Sequence, residues 1–394
     1  MSSLRQIRSV TEMGLRSVPA RIGTSMVVVT GVAAVVAVLV SALAVATGFT
    51  RAARSTGSPE RAMVLTADTE GASSLSRDNA VTILNAPGIR TAADGTPIAS
   101  AEALFFVPLV NRSTGLNAFV AVRGVGPQAL ALRPEVRIVA GRAFASGARE
   151  LIVGRAVQQR LGGLDVGAKI ALPTGDWSIV GVFESGGDSH ESELMTDVET
   201  LLNAYGRNSF NAITVRLDGA AAFERFTAAL AEDPSLNVST LREDDYYAAA
   251  SGFVSRLLTA IAYGIGGIMA FGAAFGALNT MYSAVSTRAR EIATLRAIGF
   301  GAVPVVASVL AEALVLALAG AVLGAAAAFV LLDGATISAM TGITPSQLTF
   351  GLEVRPGLVL IGIACAVAIA AVGGLFAAAR AARVPVAIAM RVIR

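Results

Sequence analysis

The feature that most limits what this chain can become is the placement of four long, almost uncharged runs, over 22–50, 257–287, 297–332 and 357–379. A helix rising 1.5 Å per residue crosses the roughly 30 Å of membrane hydrocarbon in about 20 residues, so each run is long enough to span. The first run stands alone, a segment of mixed polarity occupies 51–245, and the other three follow in close order. The expected fold is therefore a membrane protein with four transmembrane helices, one and then three, and a large extracytoplasmic α+β domain inserted between the first and second. The boundaries are a first span at 22–50, a stalk and second span at 246–284, a third span at 304–332 and a fourth at 357–379. The small residues Ser41 to Ala46 resemble a leader cleavage region, but the 22–50 run exceeds the roughly 7–15 apolar residues of a secretory signal and is read as a span.

Arginine sets the expected orientation. Arg5, Arg8, Arg16 and Arg21 precede the first run, Arg288, Arg290 and Arg296 lie between the second and third, and Arg380, Arg383, Arg391 and Arg394 follow the fourth. The 333–356 connection carries only Asp333, Glu353 and Arg355. Short cytoplasmic loops retain basic residues, so both termini and the 282–303 loop are expected inside, with 51–245 and 333–356 outside. That is a multi-pass arrangement with both termini in the cytoplasm. The net charge of +3 comes almost wholly from arginines that are scattered or flank the spans, and Lys169 is the only lysine, so no nucleic-acid surface is expected. Lipid headgroups are the expected partners instead, and Leu4, Ile7, Val10, Met13 and Leu15 among the arginines of 1–21 read as an amphipathic helix on the inner surface.

The 51–245 insert reads as an α+β domain of two lobes. Strand-like runs fall at 62–67, 104–110, 118–122, 150–153, 169–172, 177–183 and 211–217, and helical ones at 77–85, 155–161, 198–205 and 220–231. Nothing in it carries an enzyme's chemistry. Ser113, Ser185 and Ser189 lack a nucleophile-elbow setting, and the single cysteine, Cys365, lies in an apolar run. Asp188, His190, Glu191 and Glu193 are read as a solvated polar loop, because one imidazole among flexible carboxylates fixes no metal geometry. Trp177 reads as core. From 243 to 284 one continuous helix is expected, with Asp244, Asp245, Tyr246 and Tyr247 in its exposed first part, where Gly and Pro are too sparse for a flexible linker.

Between the second and third spans, over 285–303, a short helix is expected. Ile292, Leu295 and Ile298, with Ala289 and Ala293, form an apolar stripe at spacings of three and four, suited to a partner's groove. Arg288 pairs with Glu291 at i, i+3, Gly299 supplies the stop, and Arg290 and Arg296 face acidic groups or lipid phosphates. The alternative for this segment is an interfacial helix that merely anchors the loop. In the third span, Glu312 costs on the order of 3 kcal/mol in hydrocarbon and is expected to face protein. Gly320 and Gly324, like Gly373 and Gly374, mark close helix packing.

The run from Thr287 to Ala302, with its Arg-Ala-Arg-Glu-Ile-Ala-Thr-Leu-Arg-Ala-Ile-Gly core, resembles the cytoplasmic signature of the MacB/FtsX type of ABC transporter permease. Glu312 followed by Gly320 and Gly324 is similar to that family's third-span pattern, and 383–391, with Pro385 at a helix start, resembles its ending. The order of one span, a large outer domain and three spans is also the family's. In the outer domain, 139–144 and 180–183 look like its core segments. The resemblance implies no catalysis in this chain, which holds no G-x-x-x-x-G-K-[ST] phosphate loop, and no cofactor bound by it. It implies a separate ABC ATPase subunit that binds ATP and Mg, and a homodimer or a heterodimer with a related permease. It implies coupling to that ATPase through Arg288, Arg290, Glu291, Ile292, Leu295, Arg296, Ile298 and Gly299. The implied function is mechanotransmission in export or efflux, with a periplasmic adaptor and outer-membrane channel as further partners. Lipoprotein extraction and a non-transporting, FtsX-like relay to a cell-wall hydrolase are the alternatives.

Overall fold

The structure, a computed structural model, describes residues 11–12, 22–67, 73–111, 115–287, 289–298, 301–340 and 347–382. The rest of the helix expected over 1–21, Arg288, Gly299 and the tail over 383–394 lie outside the described residues. So do the side chains of Arg290, Leu295 and Arg296. Helix α1 (Ile22–Ser55) is followed by β1 (Arg61–Thr66), α2 (Arg77–Leu84), β2 (Ala99–Val110), β3 (Asn117–Val125) and α3 (Ala129–Leu132). Then come β4 (Arg137–Gly141), β5 (Glu150–Gly154), α4 (Arg155–Arg160), β6 (Lys169–Leu172), β7 (Gly175–Glu184), a 3-10 turn (Ser189–Ser192) and β8 (Glu193–Asp197). Next are α5 (Val198–Ala204), β9 (Ala212–Arg216), α6 (Ala222–Ala231), β10 (Val238–Arg242), α7 (Glu243–Thr287) and α8 (Ala289–Ala297). The chain closes with α9 (Ala302–Leu332), β11 (Thr336–Met340), β12 (Gln347–Gly351) and α10 (Pro356–Ala382). Two units result, one of Met1–Thr47, Leu257–Ala335 and Leu352–Arg394, the other of Gly48–Arg256 and Thr336–Gly351.

In the first unit, α1, α7, α9 and α10 are each apolar and long enough to cross a membrane. Lipid tails are as apolar as leucine, so burial alone gives helices little reason to associate there, and close backbone approach takes over. The glycines provide it. A Cβ added to Gly320 of α9 would lie 2.7 Å from the Val29 carbonyl oxygen of α1, and one added to Gly324 would lie 2.3 Å from that of Ala33. Gly362 meets Val36 and Val40 in the same way, Gly374 of α10 meets Ala313 of α9, and Gly373 meets Ala277 of α7. Glu312 is 5% exposed, between buried Ser308 and Leu316 on α9. Helix α7 is packed least, presenting Ile261, Ile265, Ile268, Phe271 and Phe275 outward.

The second unit is built on a ten-stranded sheet in the order β10-β1-β9-β2-β3-β8-β5-β7-β4, with β6 on β7. Strand β2 joins its two lobes. Ala99–Glu102 pair antiparallel with β9, and Ala103–Val110 continue as the partner of β3. One lobe's core gathers Val64, Leu75, Ile83, Ile213, Val215 and Phe226, and the other's gathers Val107, Val122, Leu151, Val153, Trp177 and Leu194. Strands β5 and β8 are buried on both faces, since Ile152 and Met195 point to a further cluster with Phe183 and Val136. The α2 and α5 starts are capped by Ser76 and Asp197, whose side chains accept from the Asn79 and Thr200 amides.

Three strands lack a counterpart in the sequence reading: β4, β8 and β10. The 333–356 connection is also more than a loop. It folds into the antiparallel β11–β12 hairpin, which belongs to the outer unit. Phe350 is buried there, edge-on to Phe49 with ring centroids 5.7 Å apart, and a Cβ on Gly48 would meet its ring at 3.0 Å.

Gly324→Ala is expected to lower the thermal midpoint of the full chain in lipid nanodiscs, by the equivalent of about 1–3 kcal/mol for overpacking. Gly264→Ala, where an added Cβ meets nothing within 4 Å, is expected to leave it unchanged. Equal midpoints for both variants would contradict the packing described.

Candidate functional site

Two places gather the residues that bear on function, one in each unit. In the first unit, α8 is a nine-residue helix between the ends of α7 and α9. Ile292 is 7% exposed and packs with Val285 of α7, Val305 and Val309 of α9, and Ala378 of α10. Ala293 is buried beside it, while Glu291 and Ile298 face outward, Ile298 at 72% exposure. The single stripe expected from Ile292 to Ile298 is therefore corrected. Six residues at 100° each turn the helix through about 600°, which leaves these two side chains on different faces. The inward residues seat the helix on three spans of its own chain. Gly320 and Gly324 hold α9 to α1, as described, so they and Glu312 belong to span packing.

In the second unit, the polar residues form a buried chain of alternating charge. Glu243, the first residue of α7, is fully buried. One of its oxygens is 3.0 Å from Arg133 Nη2 and the other accepts from Arg61 Nε. Arg61 opens β1 and reaches Glu135 at 2.7 Å on its far side. Arg133 continues to Glu102 of β2 at 2.5 Å, and Glu102 accepts from Arg123 Nη1 of β3 at 2.9 Å. Arg123 then grips Glu193 of β8 with two bonds, at 2.6 and 2.7 Å. His190 Nδ1 lies 3.3 Å from the same carboxylate.

Burial is the largest single influence on these groups and by itself opposes ionisation. For the carboxylates the arginines outweigh it. Arg133 and Arg123 hold Glu102 below the usual carboxylate range, and Arg123 with His190 holds Glu193 well below it. Asp188, without an arginine, is pushed up by its burial. Such a network does not stabilise more than an apolar core would, but it penalises any arrangement that separates its members. Its geometry therefore specifies where α7 is rooted. Two arginines from different elements fix Glu243, and Gly57 packs so closely that an added Cβ would lie 2.3 Å from the Asp244 amide nitrogen. Thr50 and Ser255 hydroxyls meet 2.5 Å apart further along the same pair of helices.

Two expectations from the sequence need correction here. The 188–193 segment is not a solvated loop, because Asp188, His190, Ser192 and Glu193 are all buried. Its acids are satisfied in place: Glu193 by Arg123, remote in sequence, Asp188 by the Ser185 hydroxyl and the His190 amide, and Glu191 by the amides of Ser185 and Gly187. Tyr247 is not in an exposed stretch either, since its hydroxyl is buried and its ring stands edge-on to His190, centroids 5.9 Å apart. Among the described residues no group of three or more His, Cys, Asp or Glu is placed to hold a metal ion.

A family model described as the MacB-like periplasmic core domain matches residues 25–233, and one described as the FtsX-like permease C-terminal matches residues 263–386. Among solved structures, the extracellular domain of the noncanonic ABC-type transporter YknZ from Gram-positive bacteria is 14% identical, with a TM-score of 0.36 over 46% of this chain and 100% of that one. The periplasmic region of MacB from Actinobacillus actinomycetemcomitans is 14% identical, with a TM-score of 0.38 over 50% of this chain and 94% of that one. No curated protein sequence matches the chain.

Glu102 and Glu193 ionise more readily folded than unfolded, where their ordinary value is 4.5. Their contribution to stability is thus complete above that value and is lost as pH falls through the lower folded one. Thermal unfolding of the full chain is expected to stay level down to about pH 5 and then to drop. Arg123→Met should cost on the order of 3–5 kcal/mol at neutral pH and flatten the acid limb. An acid limb unchanged by that substitution would rule out the pairing as its source.

Proposed function

Because the chain belongs to the MacB/FtsX-like family of ABC transporter permeases, we propose that it converts ATP-driven motion of a separate nucleotide-binding subunit into movement of its extracytoplasmic domain, in the service of export. The observation that carries this reading is the seating of Ile292 against three span ends. A push on α8 is borne by α7, α9 and α10 together, with no slack to absorb it. The ATPase docks on this segment, at the exposed Glu291 and Ile298, with Arg288, Arg290, Leu295, Arg296 and Gly299 assigned to the same role from the sequence resemblance.

A continuous helix then takes the motion outward. Helix α7 has 45 residues, about 67 Å at its rise per residue, more than twice the hydrocarbon thickness. Its excess lies on the extracytoplasmic side, ending at Glu243 in the buried charge chain. Such a helix transmits tilt and axial shift where a flexible linker would dissipate them.

ATP and Mg belong to the partner, since the 394 residues contain no phosphate-loop motif. The arginine distribution favours cytoplasmic termini in a bacterial inner membrane. The outward apolar face of α7 is suited to lipid and to a second permease, identical or related, so that two copies work over a pair of ATPases. A periplasmic adaptor leading to an outer-membrane channel completes the export reading.

Glu291→Arg is expected to reduce partner-stimulated ATP hydrolysis at least tenfold, the equivalent of about 1.4 kcal/mol, by placing like charge at the docking face. Membrane insertion and the thermal midpoint should stay as in the parent chain. Ile292→Asp should uncouple through loss of seating, with a lowered midpoint. Wild-type stimulation in both variants would remove α8 as the coupling element.

A further inference from the structure

At the Ser189–Ser192 turn, segments leading from every span come together. From the first span, Thr56 lies just beyond α1, and its hydroxyl accepts from the Ser189 amide at 2.9 Å and the Ser189 hydroxyl at 2.8 Å. From the second, Tyr247 of α7 packs its ring edge-on to His190. From the third and fourth, the hairpin between α9 and α10 places the Thr349 amide 2.8 Å from Ser192 Oγ, to which it donates. His190 and Glu193 pass from the turn into the charge chain through Arg123.

The turn is built as a block on a pivot. Asp188 accepts from the His190 amide, and Glu191 accepts from the amides of Ser185 and Gly187, so the segment holds its own shape. Immediately before it, Gly186 and Gly187 both have positive φ, at 78° and 79°, a conformation that side chains disfavour. The neighbouring strand end is fitted to it, since a Cβ on Gly154 would lie 2.1 Å from the Glu191 carbonyl oxygen.

The hold on the hairpin is specific but incompletely satisfied. Arg160 Nη1 donates to the Ser338 and Thr349 hydroxyls at 2.9 and 3.1 Å, and no carboxylate among the described residues meets this guanidinium. Its Nε and Nη2 are buried without a partner among the described residues, and burial depresses its pKa. Asp188 Oδ2, His190 Nε2 and Tyr247 Oη are in the same condition around the turn. Buried polar atoms left unpaired favour any rearrangement that pairs or hydrates them. The docked hairpin is thus held by Phe350 packing and by these hydroxyls, against a cost at Arg160 that release would relieve.

We propose that the Ser189–Ser192 turn is a positioning junction, at which docking of the β11–β12 hairpin on Ser192 and Arg160 makes the charge chain respond to the third and fourth spans as well as to α7. The proposal rests on the coupling function above and adds a second route by which the spans act on the outer domain. Without the docked hairpin, only α1 and α7 remain attached to the turn.

The test uses the full chain assembled with its ATPase partner in nanodiscs, with ATP and vanadate as the trapping probe and amide hydrogen exchange as the readout. In the parent chain, trapping is expected to change exchange in Gln347–Gly351 and in Glu193–Asp197 together. Ser192→Ala combined with Arg160→Met should release the hairpin, raising exchange at Thr349 about tenfold with or without nucleotide, and should abolish the nucleotide response of Glu193–Asp197. Ser192→Thr, which keeps the hydroxyl, should retain that response. A response of Glu193–Asp197 that survives hairpin release overturns the junction and leaves the coupling function standing. Absence of any nucleotide response in the parent outer domain overturns the coupling function itself. A hairpin that stays protected in the double variant shows that these two residues do not hold it and also overturns the proposal.

Discussion

The outer unit depends on one alternating run of guanidinium and carboxylate groups, from Glu135 through Arg61, Glu243, Arg133, Glu102 and Arg123 to Glu193. No member could be buried alone, because an unpaired charge in that environment costs several kcal/mol. Each is therefore a condition for the others. The run draws on β1, β2, β3, β8, the segment after α3 and the first turn of α7, elements from both lobes. Arginine suits the task better than lysine, since its planar fork satisfies two carboxylates at once, as Arg123 does with Glu102 and Glu193. An apolar core could have supplied equal stability, but it would tolerate sliding. Paired charges hold one register.

The membrane unit solves a different problem by different means. With no hydrophobic gain to bring helices together, Gly320 and Gly324 let α9 lie against the backbone of α1. Helix α8 adds a seat of buried apolar side chains where the spans end, with Ile292 in it. Close packing makes an assembly of this kind stiff, and stiffness is what an element needs if a partner's stroke is to pass through it undiminished.

Much of this was legible in the sequence because the relevant signals are local. Four uncharged runs announced the spans, alternation and turn residues announced β6 and β7, and Ser76 and Asp197 announced their helices as caps. What escaped was encoded by distant partners. Strand β8 reads Glu-Leu-Met-Thr-Asp, which has too much charge for a central strand until Arg123 is placed beside Glu193. The turn with Asp188 and His190 looked solvated because its burial comes from Thr56, Tyr247 and Thr349, all distant in sequence. Strand β4 alternates between partly buried and exposed positions, and β11 is a short run of small residues, so neither offers a strong apolar period. The α8 stripe was misjudged through its phase, because residues three apart drift steadily around a helix of 3.6 residues per turn.

Strand β2 has a consequence for how load is shared. Its twelve residues serve β9 at one end and β3 at the other without a break, so along this strand the two lobes are joined with no loop between them. A tug applied at the far rim must be resisted by backbone hydrogen bonds in shear along a single beam, many at once. The outer domain is accordingly a girder, its two halves spliced along one strand.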